Sequence, residues 1–376
     1  MITTKLTTFK SLIIMATINK YYPESVTHPK EILIESLEEN NIGAKEFAVK
    51  TGKPEKTITA VLKGESSITP DMAVLFEQVL KIPVHFWLEA QKNYDEYKAR
   101  VSYQTNIESA IEWASSFPYA KMANFEWVPK TRVAKEKVIN LFNFFNVASQ
   151  KGFEDYYYNQ RTKVAFRISL KDQKNASVIA SWLRQGEVQA SRIQTKEYSK
   201  TKLKEALPDI KKIMAKQPDN YFEELQNLCL SSGVKIVYTP CLPKASIHGS
   251  TRWINDTPLI QLSGRYRRND IFWFTLFHEI GHILLHGKKY ISIENIDIEG
   301  ENEEFENQAD SFASNWLLTE NQENEILNNR MVTKDDIISY AEKFKTHPAI
   351  IIGRLQHKKL IPYGTGNEFF APIELT

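Results

Sequence analysis

Two histidines and a glutamate in the stretch His278-Glu279-Ile280-Gly281-His282 carry the chemistry of this chain. On an α-helix, residues four apart lie on one face, so His278 and His282 can offer imidazole nitrogens to a single ion, with Glu279 close to that face. This is the H-E-x-x-H pattern, in which the histidines bind zinc and the glutamate serves as general base for a hydrolytic water. Two histidines and a water leave room for a third protein ligand. Downstream, in EFENQADSFA, Glu306 and Asp310 share a helix face beside an apolar stripe of Phe305, Ala309, Phe312 and Trp316. Glu306 can bind the metal, and Asp310 can accept a hydrogen bond from a ligand histidine and so fix its tautomer. An acidic helix start favoured by the macrodipole is the alternative reading of the same residues.

The element that must position the histidines is Asp270 to His286, DIFWFTLFHEIGHILLH. It is apolar nearly all round, which predicts a buried helix. Asn269 or Asp270 is expected to cap its start and Gly287 to end it. Two imidazoles and a carboxylate buried there are costly without a charge partner, and a divalent cation offsets that cost; two core histidines beside an incidental glutamate are the alternative. His286 lies one turn beyond His282 and is expected as a cap or a neighbour of the ligands. Upstream, Val234 to Tyr238, Ser246 to Ile254 and Leu259 to Leu262 read as strands with bends at Gly249 and Asp256. A small sheet beside the helix would let an extended peptide add an edge strand across the metal. His248, Tyr266 and His347 are candidates, by residue type alone, to stabilise an oxyanion. Lys334 to Lys345 and Pro348 to His357 read as two closing helices.

At 376 residues the chain is too long for one ordinary core. Its net charge of +2 gives no global signal for nucleic acid, so any DNA-binding surface has to be local. The two cysteines, Cys229 and Cys241, supply neither a zinc knuckle nor a disulfide framework. The apolar run Leu12 to Ala16 is far shorter than a signal-peptide core or a membrane span, so a cytoplasmic protein with no membrane partner is expected. Met15 could be an alternative start, making the first 14 residues a dispensable tail.

From His28 the pattern changes to short helices: Pro29 to Glu39, Ala44 to Thr51, Pro54 to Leu62 with Pro54 in its first turn, and Asp71 to Leu80 capped by Thr69. Helix, tight turn and helix, with Ala48 small at the crossing and Ile58 and Val61 inward, predicts a helix-turn-helix. Between residues 96 and 220 no catalytic constellation is evident. Helical stretches there (Ile107 to Ser116, Ala134 to Phe145, Ala176 to Gln194) and a short strand at Val164 to Leu170 suggest a helical spacer. Tyr156, Tyr157, Tyr158 and the basic run Lys200 to Lys204 read as core aromatics and solvated lysines.

Two resemblances follow. HPKEILIESLEENNIGAKEFAVKTGKPEKTITAVLKGESSITPDMAVLFEQVLKIPVHFWLEAQKNYD resembles the Cro/C1-type helix-turn-helix (XRE) of HigA-like antitoxins. The resemblance implies that the third helix docks in the major groove, with Lys56, Thr57, Thr59 and Lys63 as base or phosphate contacts and Lys45 and Lys53 nearby. Many relatives carry glutamine where this chain has Ala44, so one common contact is missing. From Asn220 onward, GVKIVYTPCLP, STRWI, PLIQLS, IFWFTLFHEIGHILLHGK and ENQADSFASNWLL resemble in order the ImmA/IrrE metallopeptidases. That family implies a zinc site of His278, His282 and Glu306, with Glu279 as base, and an association with inactivating repressors under stress or phage induction.

The expectation is therefore an α+β, mostly helical chain. It comprises a tail (1–27), a helix-turn-helix domain (28–95), a helical spacer (96–220) and a small-sheet, zincin-like metallopeptidase domain with carboxyl-terminal helices (221–376). Its function would be that of a DNA-binding transcriptional regulator carrying a gluzincin-like zinc endopeptidase, one Zn2+ per chain with other divalent metals possible. Its partners would be a double-stranded DNA operator, a protein substrate or toxin or repressor partner, and a second copy as a homodimer. The alternative is an antitoxin-type repressor whose metal domain senses a ligand or partner and cleaves little.

Overall fold

The computed structural model describes residues 25–157, 175–243, 247–264, 268–289, 292–293, 303–329 and 333–373. It divides into two compact units that meet in sequence at Glu108 and Ser109.

The first unit holds α1 (Pro29–Glu39), α2 (Ala44–Thr51), α3 (Glu55–Lys63), α4 (Pro70–Leu80) and most of α5 (Val84–Ser109). Each short helix turns an apolar stripe inward, so that Leu33, Phe47, Ile58, Val61, Phe76 and Trp87 form one core. Thr69 caps α4 as expected, its hydroxyl accepting from the Met72 amide at 3.4 Å. Pro54 stands outside α3 and not in its first turn, because its ψ of 138° is extended. Between α2 and α3, Gly52 takes a left-handed φ of 63° and the Lys53 amide bonds back to the Ala48 carbonyl, which sets the tight turn. Burial of Ile58 and Val61 leaves Lys56 and Lys63 exposed and Thr57 and Thr59 partly exposed on α3. Lys45 on α2 is exposed, and Lys53 in the turn is half-buried.

The stretch expected as a spacer begins in the first unit and is divided among three roles. Its first residues lie on α5. Then α6 (Ile111–Ser115), α7 (Tyr119–Asn124), α8 (Ala134–Phe145) and α9 (Gln150–Tyr157) surround an aromatic cluster. Its ring pairs include Trp113 with Phe117 and Phe145 with Phe153, and Tyr157 stacks on Phe153. Tyr157 is thus core, as read, whereas Tyr156 is exposed beside it; Tyr158 and the strand expected at Val164 to Leu170 lie outside the described residues. Finally, α10 (Ala176–Ser191) lies on the sheet, and α11 (Lys200–Lys216) sends Leu203, Leu207, Ile210 and Met214 into the core around the helix that carries His278 and His282, hereafter the metal helix. Apolar periodicity reveals that such a helix has a buried face but not which element covers it.

After α12 (Tyr221–Ser231), the strands β1 (Lys235–Tyr238), β2 (Gly249–Ile254), β3 (Thr257–Leu262) and β4 (Ser292–Ile293) form a sheet in the order β1-β3-β2-β4. β3 runs parallel to β1 and antiparallel to β2, and β4 pairs antiparallel with Ser250 and Thr251 of β2. A fourth strand therefore takes an edge that the sequence reading had left open. The β2–β3 bend is made by Asn255 at φ 54°, beside the expected Asp256, while Gly249 begins a strand instead of bending one.

Both middle strands are buried almost end to end, since α10 covers one face and the metal helix the other. Several of the polar side chains this buries bond one another in a network. The Arg252 guanidinium donates to the Leu183 carbonyl at 3.0 Å and to Gln261 Oε1 at 2.6 Å, and pairs with Glu187 at 3.3 Å. Gln261 Nε2 in turn donates to the Trp182 carbonyl at 2.6 Å and to Thr239 Oγ1 at 2.9 Å. Left unpaired, such groups would each cost on the order of 1–3 kcal/mol.

The metal helix, α13 (Asn269–Leu285), is followed by α14 (Glu303–Leu317), α15 (Glu320–Leu327), α16 (Lys334–Phe344) and α17 (Pro348–His357). The residue before its first turn is Arg268, and the expected cap is absent: Asn269 is fully buried, its Oδ1 accepting from the Asp270 amide and, at 3.3 Å, from the Ala371 amide. Tertiary contact with the chain end has taken over the side chain that would have capped the helix. Asp270 is held by Arg268 at 2.8 Å. The other end is as expected, with Gly287 at φ 63° after His286. No described helix is long and apolar enough to cross a membrane.

Candidate metal centre

The mixture of side chains on α13 explains its position. Phe272, Trp273, Leu276, Phe277, Ile280, Ile283 and Leu284 are buried against the sheet, α11, α14 and α17, and so are His278, Glu279 and His282. Burying each large apolar side chain contributes roughly 1.5–3 kcal/mol, enough to hold polar groups in a place they would not choose.

α14 crosses α13 at Gly281. A Cβ on Gly281 would lie 3.2 Å from Phe312 Cδ1 and 3.3 Å from the Cα of Ala309, so the two helices meet backbone to backbone. This proximity lets Glu306, one turn before Ala309, and Asp310, next to it, reach the histidines. Glu306 Oε2 lies 3.0 Å from His278 Nε2, and Glu306 Oε1 lies 3.5 Å from His282 Nε2. The two Nε2 atoms are 2.9 Å apart. One donor atom from each of His278, His282 and Glu306 thus falls within 4.8 Å of the others. Glu306, the most exposed of the three, leaves the cluster open on its side.

The outer nitrogens fix how these donors are presented. Asp310 Oδ1 lies 2.8 Å from His278 Nδ1. A carboxylate only accepts, so Nδ1 carries the hydrogen and Nε2 turns its lone pair inward. His282 Nδ1 meets His286 Nδ1 at 3.0 Å, and His286 Nε2 meets Gln308 Oε1 at 3.1 Å. Burial pulls the His282 pKa down to about 4, only partly opposed by the neighbouring Glu306 carboxylate, and so keeps the ring neutral with a lone pair to give. Burial likewise lowers the pKa of His286. Two neutral imidazoles and a carboxylate converging on one point repel one another unless a cation lies among them. Nitrogen and oxygen donors in this number suit a divalent ion of the zinc type.

Glu279 is fully buried on the side of α13 facing β2. Thr251 Oγ1 donates to the Glu279 carbonyl at 3.1 Å, tying the helix to the strand. A Cβ on Gly249 would come within 2.7 Å of Glu279 Oε1 and 2.6 Å of Thr275 Cγ2, so the bare backbone at Gly249 makes the space that this carboxylate occupies. A cavity of about 390 Å³ opens beside Asp310 and Thr275, walled by Phe274, Leu317, Ile350 and Arg354 and bordered by His248.

His278, His282, Glu306 and Asp310, picked out from the sequence, are brought together here. Of the oxyanion candidates, His248 borders the cavity; His347 instead caps α17, its Nδ1 accepting from the Ala349 amide at 3.1 Å; Tyr266 lies outside the described residues. Sequence reading missed Thr251, Gln308 and the part played by Gly249. The only local signal was a glycine opening a strand beside a Glu-bearing helix.

Residues 229–356 match the family model of the IrrE N-terminal-like domain. No curated protein matches the chain. Among solved structures, an addiction module antidote protein of a HigA family from Coxiella burnetii is 33% identical over 22% of this chain and 91% of its own, with a TM-score of 0.21. The Pseudomonas aeruginosa antitoxin HigA with higBA promoter is 26% identical over 23% of this chain and 94% of its own, with a TM-score of 0.22. Both likenesses fall on the amino-terminal part. Residues 229–356 of the chain therefore make up an IrrE N-terminal-like domain.

Proposed function

We propose that this protein is a DNA-binding transcriptional regulator whose second unit is a zinc-dependent endopeptidase of gluzincin type, acting on a regulatory protein such as a repressor or an antitoxin partner. The observation that carries the reading is the convergence of His278, His282 and Glu306 donor atoms within 4.8 Å, with Glu279 on the adjoining turn. His278 and His282 would hold the ion through Nε2 and Glu306 through its carboxylate, while Asp310 keeps His278 in the ligating tautomer. A zinc ion held there supplies a Lewis acid that acidifies water and polarises the scissile carbonyl. As water oxygen bonds to the carbonyl carbon, Glu279 takes its proton and passes it to the amine nitrogen when the C–N bond breaks. The cavity beside Asp310 offers apolar walls for a substrate side chain. Lys45, Lys53, Lys56, Thr57, Thr59 and Lys63 are the proposed contacts to a double-stranded operator, most simply by a homodimer on two half-sites.

The full burial of Glu279 favours a second reading, in which the metal domain senses a ligand or partner and cleaves little. Two variants decide. With His282→Ala, zinc content measured on the purified chain is expected to collapse. With Glu279→Gln, zinc is expected to stay while a co-expressed target protein is no longer shortened. Regulation unchanged in Glu279→Gln would overturn the peptidase reading in favour of sensing; zinc retained in His282→Ala would overturn the site.

A further inference from the structure

The second ligand histidine is oriented by a chain of groups to which no role has yet been given. Gln308 Nε2 lies 3.1 Å from Glu304 Oε1, four residues before it on α14. A carboxylate cannot donate, so this contact fixes the amide: Nε2 donates to Glu304 and Oε1 is left to accept. The atom facing Gln308 Oε1 is His286 Nε2 at 3.1 Å, which must then carry a hydrogen. A neutral imidazole with its hydrogen on Nε2 presents a lone pair at Nδ1, and that atom faces His282 Nδ1 at 3.0 Å. His282 Nδ1 accordingly donates, and its Nε2 is bare toward His278 Nε2 and Glu306. The polarity of four side chains is thereby settled from one end, by an exposed carboxylate at the start of α14. His286 is placed to pass it on because it closes α13, and its ring lies 4.5 Å from that of Phe305.

We infer that His286 and Gln308 are positioning residues for the metal: the series Glu304–Gln308–His286 holds His282 in its ligating tautomer, as Asp310 does for His278. The inference rests on His278, His282 and Glu306 being the metal site. It explains why α14 carries two polar pairs at a spacing of four, Glu306 with Asp310 and Glu304 with Gln308. The first pair meets His278, and the second acts on His282 through His286. None of these groups needs to touch substrate.

The test uses the full chain and zinc, its affinity measured by competition with a chromophoric chelator at fixed pH. Losing an outer partner of a ligand histidine lowers metal affinity about 10- to 100-fold. His286→Phe keeps a ring on Phe305 but removes the acceptor, and a loss of at least tenfold is expected. Gln308→Glu still accepts from His286 and should bind within about twofold of the parent. Gln308→Lys, held near Glu304 by an i,i+4 pair, donates instead and reverses the series, so it should lose as much as His286→Phe. Gln308 is exposed, so the two substitutions differ in polarity and not in packing. Nitrogen-15 histidine side-chain spectra of the metal-free chain should show His282 protonated on Nδ1 and His286 on Nε2. Equal affinities for Gln308→Glu and Gln308→Lys, or His282 protonated on Nε2 in those spectra, overturns the inference. If zinc is lost in His282→Ala but both Gln308 variants bind as the parent does, only the positioning series fails. If His282→Ala keeps its zinc, the site itself fails.

Discussion

Substitution of Gly281 tests whether the close crossing of α13 and α14 creates the metal centre. An alanine there puts its Cβ 3.2 Å from Phe312 Cδ1 and 3.3 Å from the Ala309 Cα, tight contacts that a small shift of Phe312 relieves only on one side. Glycine to alanine in a helix interior returns up to about 1 kcal/mol of propensity, so Gly281→Ala should be close to neutral in stability and should bind zinc within about twofold of the parent. Valine adds two further methyl groups against the backbone of Ala309, which cannot rotate away. Overpacking of this kind costs about 1–3 kcal/mol, or a fall in Tm of several degrees for a unit of this size. The strain is relieved by α14 moving outward, and Glu306, now 3.0 Å from His278 Nε2, moves with it. Metal–ligand distances tolerate only about 0.2 Å, so zinc affinity should drop at least tenfold. Adding Phe312→Ala removes the nearest of the three atoms, the ring Cδ1, and should restore part of both losses. Thermal denaturation with and without zinc, together with chelator competition, reads the outcome. A lower Tm with unchanged zinc affinity would mean that the crossing serves stability alone, and the account of how Glu306 reaches the histidines would be wrong.

How far the site can be read from sequence follows from how local each part is. His278, Glu279 and His282 occupy consecutive turns of one helix, and Glu306 and Asp310 consecutive turns of another, so helical periodicity alone places each set on a face. That the two sets meet depends on Gly281 and Ala309 being small at the same point of two different helices, which spacing within one helix does not reveal. The Arg252–Gln261 network was invisible for a stronger reason. Its members come from β2, β3 and α10, and in isolation they read as the polar face of half-exposed strands, whereas α10 buries them. The cap of α13 was misread for a related cause: Asn269 has the right chemistry to cap, but a segment about a hundred residues later claims its side chain. The residues assigned to a spacer contain helices whose apolar faces were legible and whose partners were not, which is why α11 belongs to the core of the metal helix.

Two further predictions address the amino-terminal unit and the closing helix. If Lys56 on α3 meets a phosphate, Lys56→Ala should weaken binding to the chain's own upstream DNA across sequences and reduce the salt dependence, log K against log salt, by about one, as read by mobility shift over a salt series; an unchanged slope would exclude Lys56 from the interface. His347 gives α17 a pH-dependent start. Its Nδ1 accepts from the Ala349 amide, and burial holds its pKa below the ordinary value. The folded chain therefore takes up this proton less readily than the unfolded chain. The stability it contributes is complete above about pH 6.5 and declines as the pH falls below that value toward the folded pKa. His347→Asn retains a side-chain oxygen that can accept from the same turn, and asparagine is among the strongest caps, so the helix should survive. With zinc held equal, the difference in Tm between parent and variant should widen in the variant's favour as pH drops through 6.5. Parallel curves would show that His347 does not titrate with folding, and that the start of α17, which packs Ile350 and Ile351 into the core around the metal helix, owes nothing to the neutral ring.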